Sequence, residues 1–180
     1  ERVEADRILH EATLEYLKQY GEISLRNGDF LYAVYMNALR DTLIVLLNAE
    51  IPVSEKLKGL TEMLTCEHTK QLAAWENFGV YIGQAEEMQR LRKEFFTAAA
   101  SWLLALEEAP DEQAGDFCNI GEFACAAAEY TNGWIVFQKL RISLLIEQGH
   151  ADEARVKLDE LEELLPNDAE VLEFREKLND

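Results

Sequence analysis

Three residue types are scarce in this chain of 180: cysteine and proline occur three times each and glycine nine times. The cysteines, Cys66, Cys118 and Cys125, form an odd set without a close CxxC pair, which excludes a disulfide framework and predicts reduced thiols in a cytoplasmic protein. Cys118 and Cys125 sit seven residues apart. On one helix that spacing gives a shared face but roughly 10 Å or more between Cα atoms, too far to bond, so both are expected in the core. The glycines occur singly, with no phosphate-cradling run and no Lys-Ser/Thr behind one, which removes nucleotide binding. Long apolar runs are missing too. Charged residues break every stretch well short of the roughly 18 residues a membrane span needs.

Positive charge is also in short supply. Seventeen Lys and Arg stand against 35 Asp and Glu, a net charge of −18. Affinity for nucleic acid or anionic lipid rests on Lys and Arg displacing counterions from phosphates, so neither is expected as a partner. A basic or amphipathic protein or peptide suits the chain better. From Ala151 to Asp180, eleven acids face four bases. That imbalance reads as a solvated outer face, with a dedicated site for a basic partner as the alternative. The chain opens on Glu1 rather than methionine, which reads as a processed or cut end, with further domains upstream an open expectation.

Catalytic constellations are absent as well. His10, His68 and His150 lie far apart, and only Cys66, Glu67 and His68 bring metal-ligating types together. Neighbours that close point in different directions on a helix, so no metal site is expected. Acidic pairs are abundant, but none sits in an apolar motif that would raise a carboxylate's pKa for acid/base work. No enzyme activity, cofactor or metal follows from these residues.

What the sequence does hold is helical periodicity from end to end. Ile8, Leu9, Ala12, Leu14, Leu17 and Ile23 set a first helix over 3–26, ended by Asn27 and Gly28. A second runs over 30–47, apolar on more than one side around Tyr35 and Leu39. Ser54 is a suitable N-cap for a short helix through Leu57, Leu60 and Met63. Residues 88–106 read either as the second half of a hairpin turning near Glu86 or as one long helix. Pro110 to Gly115 is the clearest loop, and Asn132-Gly133 marks a turn between helices over 117–130 and 134–146. Another helix spans 151–165, and Asn167 with Glu170 starts a last one along Val171, Phe174 and Leu178. Without convincing strand alternation, one all-α domain is predicted over 1–180. It divides into an N-terminal hairpin and short helix (1–65), a degenerate repeat (69–109) and a C-terminal part (116–180).

Two spacings sharpen this. Gly149, Ala154, Leu158, Leu161 and Pro166 fall at offsets 0, 5, 9, 12 and 17. Glycine turns the backbone, the small alanine lets two antiparallel helices approach, the leucines fill their seam and proline stops the second helix. Trp75, Phe78, Gly79 and Ile82 match the pattern W-x2-L-G-x2-Y with conservative swaps. In these positions the chain resembles the tetratricopeptide repeat family. The resemblance implies antiparallel helical hairpins stacked as a right-handed superhelix, with a C-terminal capping helix and a concave wall that binds peptides. By that geometry the wall presents Val136, Lys139, Ser143, Ile146 and Glu147 from the last repeat, and Asn77, Val80 and Gln84 from the earlier one. The match is partial. Gln138, Arg141 and Ile142 stand where the last repeat should hold its aromatic, leucine and glycine, and the 63 residues from Trp75 to Gln138 are not a multiple of the ~34-residue repeat. Of the Lys, Arg and Asn side chains that a carboxylate clamp requires, only Lys139 and Asn77 are in position.

The functional expectation is a non-catalytic protein-protein interaction module, a scaffold whose groove holds a peptide or helix of a partner. Neither that partner nor any self-association is named by the sequence. The alternative comes from Tyr20 to Leu47, where Gly28-Asp29 separates two helices. This stretch resembles the HEPN-type helical domain that accompanies nucleotidyltransferases. The ribonuclease members of that group carry an Arg followed four to six residues later by His. No Arg-His pair here has that spacing, so only the accessory, inactive kind would apply.

Overall fold

The computed structural model describes residues 30–66, 69–70, 85–106 and 111–179. Among them there is no strand, and the described residues are all-α. Helix α1 (Phe30–Asn48) buries Met36, Leu39, Leu43 and Leu46 along one stripe. Its other apolar side stays open, with Ile44 half-exposed, so α1 is less enclosed than its composition predicts. Helix α2 (Val53–Thr65) starts two residues earlier than a Ser54 cap would allow: Pro52 is the N-cap and its carbonyl takes the amides of Glu55 and Lys56 at 3.0 and 3.1 Å. Proline's fixed φ already suits a helix start, which leaves Ser54 in the first turn. Helix α3 (Ala85–Leu104) already includes Glu86, so the turn is not at that residue; residues 71–84 before it lie outside the described residues.

A 3-10 turn (Asp111–Gln113) leads directly into α4 (Ala114–Ala127), placing Gly115 in a helix rather than in the predicted loop. The expected turn at Asn132-Gly133 is displaced as well. Helix α5 spans Thr131–Glu147, and the chain reverses before it at Glu129, whose φ of 58° is left-handed. Gly133 serves packing instead: a Cβ there would lie 2.9 Å from Cys125 Sγ, Leu104 and Tyr130. The α5 to α6 turn repeats this geometry. Tyr130 and His150 donate to the carbonyls of Cys125 and Leu145 at 2.8 and 2.9 Å, while Glu129 and Gly149 donate to Ala126 and Ile146. These are two copies of one helix-ending motif, with glutamate in the first at the position that glycine, φ 77°, fills in the second.

Helix α6 (Ala151–Leu164) buries Ala154, Leu158 and Leu161 as the spacing predicts, and the exposed Pro166 stands just beyond its end. Helix α7 (Ala169–Lys177) is capped by Asp168, not Asn167, because Asp168 is the residue whose carboxylate reaches the Glu170 and Val171 amides, at 3.1 and 3.2 Å.

Consecutive helices from α3 to α7 pack as neighbours, α4 against α5 most extensively. Beyond these, α1 lies on α3, α2 on α4 and α7 on α5. Two cores result. The larger gathers apolar side chains of α1 to α4 and Phe137 of α5. Here Phe117 and Phe137 meet edge to face at 5.3 Å, and Phe137 occupies the space a Cβ on Gly121 would need. The smaller joins Ile142 and Leu145 of α5 to α6 and to Val171, Phe174 and Leu178. Trp134 is half-buried and packs against both.

Candidate functional site

Helix α5 carries apolar residues on every side because two cores claim two of its faces. A third face is left over. Val136 and Leu140 remain 45% and 43% exposed, and with Ser143 and Glu147 they follow one another at steps of four, three and four residues. Such steps keep to one side of a helix, so the four form a ridge of about 16 Å over three turns.

Helix α7 borders the ridge with charge. Lys139 Nζ reaches Asp168 Oδ1 at 2.8 Å and Glu170 Oε2 at 3.0 Å. Burial works against this ammonium, yet hydrogen bonds to Asp168 and Glu170, reinforced by their charges, outweigh it and hold the Lys139 pKa above the ordinary lysine value. The same contact holds the Asp168 carboxyl below its usual range, helped by the Val171 amide. Further along, Lys177 pairs with Glu173 at 2.8 Å, and its pKa is raised first by that bond and then by the charges of Glu173, Glu147 and Glu170. Ser143 Oγ donates to Glu147 Oε1 at 3.3 Å. Glu147, Asp168, Glu170 and Glu173 therefore outnumber Lys139 and Lys177, and the strip beside the ridge is net acidic.

Of the predicted wall residues, Val136, Ser143 and Glu147 lie on this ridge. Lys139 is turned to α7 with 16% of its side chain exposed, and Ile146 is half-buried against the smaller core. Asn77, Val80 and Gln84 lie outside the described residues, as do Trp75, Phe78, Gly79 and Ile82. Leu140 was not among the predicted positions. It shares a face with Val136 and Ser143 by helical spacing alone, a signal that family positions obscured.

No family model, curated protein or solved structure matches the chain. The site is read from its own residues.

Gln138 and Arg141, two of the three residues that depart from the repeat pattern, form the floor of a polar seam where α4, α5 and α6 meet. Arg141 donates to Asn119 and holds Nε 3.7 Å from Glu122 Oε1. Lys157 approaches Glu122 Oε2 at 3.7 Å and donates to Gln138 Oε1 at 3.3 Å. Glu122 thus lies between two cations, but Glu122 Oε1 and Arg141 Nε are buried without a hydrogen-bond partner, so these contacts are held by charge and not by hydrogen bonds. Gln138 is 4% exposed.

Chemistry on the described residues is sparse. No group of three His, Cys, Asp or Glu among them is arranged to hold a metal ion. Burial pushes the thiols of Cys118 and Cys125 up to about 11, so neither is a nucleophile near neutral pH. No described helix is long and apolar enough to cross a membrane.

Proposed function

We propose that the chain is a non-catalytic protein-interaction module, a tetratricopeptide-like stack of helical hairpins that holds a segment of a partner protein against the α5 and α7 face. The observation that carries this reading is the uncovered ridge: Val136 and Leu140 face solvent on a helix whose other sides are packed. Support for the architecture comes from the repeated turn at Glu129 and Gly149, from the close α5 to α6 hairpin centred on Ala154, and from the packing of α7 back onto α5. In a right-handed stack of this kind the ridge belongs to the concave wall. Helix α7 acts as the cap, exposing Leu172 as its single large apolar residue.

Selection from a displayed peptide library, followed by amide chemical-shift mapping of the selected peptides, tests the reading. Shifts centred on Val136, Leu140, Ser143 and Glu147 are expected. Selected peptides that map to the seam at Glu122 or to α1 would place the site elsewhere, and RNA cleavage or nucleotide transfer by the purified chain would overturn the module reading altogether.

A further inference from the structure

Resting on that reading, we infer that the segment held on the α5 ridge is a cationic amphipathic helix of about three turns. Two features of the ridge select a helix over an extended strand. An extended peptide brings backbone N–H and C=O groups that need partners from the wall, whereas a helix satisfies its own except at the ends. The ridge offers few such partners: Val136 and Leu140 are apolar, and the Ser143 hydroxyl already donates to Glu147. Second, Val136 and Leu140 repeat at a helical step, so an apolar strip at i, i+3, i+4 and i+7 on a partner helix packs over them while the continuing turns of that helix run past Ser143 and Glu147.

Charge sets the sign of the partner. Glu147 closes one end of the ridge, and Glu170 and Glu173 stand along its α7 flank with more than half of each side chain exposed. The bases on this side, Lys139 and Lys177, are held by those acids and by Asp168. Lys or Arg on the edges of the partner helix therefore meets unbalanced acid, while an acidic helix meets like charge. Because the chain as a whole is strongly acidic, it attracts any cationic peptide, and the apolar strip is therefore tested separately from the charge.

Four synthetic peptides of one length make that separation: a Leu/Lys helix with a single apolar strip, its scrambled form, a form broken by a central proline, and a Leu/Glu helix. Titrated into the full chain with amide shifts and fluorescence anisotropy as readouts, the Leu/Lys helix is expected to bind with shifts confined to α5 and α7 and to gain helicity. Leu140→Asp is expected to weaken it at least tenfold. Leu140 is exposed, so this variant should keep its fold, which circular dichroism checks; Val136→Ser provides a milder second test. Equal binding of the scrambled peptide, or indifference to both substitutions, overturns the ridge as the site. Equal binding of the proline-broken peptide at the ridge overturns the helix while leaving the interaction module standing. Preference for the Leu/Glu helix overturns the assigned charge.

Discussion

Around Phe95, Phe96, Phe117, Phe123 and Phe137 the larger core closes through edge-to-face ring contacts at 5.0 to 5.7 Å, whereas the buried residues of the core beneath α7 are aliphatic apart from Phe174 and are rimmed by ion pairs. Lys139 with Asp168 and Glu170, Arg175 with Asp159 and Glu162, and Arg155 donating to the Leu178 carbonyl at 2.7 Å tie α7 and its flank to α5 and α6. The seam at Glu122, Arg141 and Lys157 lies at the boundary. Large aromatic volumes specify position by fit, so the first region is vulnerable to changes of size. A thin aliphatic layer specifies position less well, and the surrounding charges, partly shielded from solvent, fix the angle of α7.

The sharpest break in this comparison is Phe137→Ala. Phe137 is fully buried against Gly121 and the Phe117 ring, so losing it should cost about 3–5 kcal/mol in a denaturant titration. In the smaller core Ala154→Leu is expected to cost about 1–3 kcal/mol, because Ala154 is fully buried where α6 approaches its neighbours and a larger side chain has no room. A smaller cost for Phe137→Ala than for Ala154→Leu would show that the aromatic core is not the stronger of the two.

The turn between α4 and α5 offers a gain. Glu129 adopts a left-handed φ that its counterpart Gly149 adopts without strain, so Glu129→Gly should stabilise the chain by roughly 1 kcal/mol. The loss of its exposed 3.4 Å pair with Lys93 offsets little of that. Thermal melts of the two proteins side by side measure it.

Acid should act on the smaller core first. The Asp168 carboxyl, held down by Lys139 and by the Val171 amide, and the Glu162 carboxyl, held down by Arg175, both lie below their ordinary values of 3.8 and 4.5. Folded values depressed in this way contribute stability that is present above those ordinary values and is lost as pH falls through the lower folded ones. Lys139 and Lys177, raised above 10.5, contribute in the opposite sense, present below that value and lost as pH rises through the raised ones. Amide exchange followed down from pH 5 should therefore show α7 opening before α3 and α4. Asp168→Asn, which keeps the capping oxygen but removes the charge, should flatten that dependence. Simultaneous opening of all the helices would mean that the two cores act as one.

Much of the smaller core was legible because its signals are local: Gly149, Ala154, Leu158 and Leu161 each have one structural job within a single hairpin, and the structure gives them the predicted turn and burial. The turn at Glu129 was not, since glutamate in a left-handed conformation has no sequence signature, and the nearby Gly133 drew the turn toward itself while its actual use is close packing against Cys125 and Leu104. The ridge was half-legible. Val136, Ser143 and Glu147 were expected there through the family resemblance, but the engagement of Lys139 by Asp168 and Glu170 depends on α7 folding back, a long-range fact that repeat positions do not encode.

The smallest expected effect is also the one that separates fold from function. Glu147 is exposed at the C-terminal end of α5, where it accepts a 3.3 Å hydrogen bond from the Ser143 hydroxyl one turn back. Reversing its charge should leave stability within about 0.5 kcal/mol, as for most surface changes away from caps and cores. Its charge does reach Lys177, so the variant also shows whether α7 depends on that end of the ridge. If Glu147→Lys melts with the parent protein, α7 is held by Asp168, Glu170 and Arg175, and the acid at Glu147 is free to serve a partner. Earlier loss of α7 in amide exchange would instead assign Glu147 to the framework of the smaller core, and the ridge would lose the acidic end that the proposed cationic helix requires.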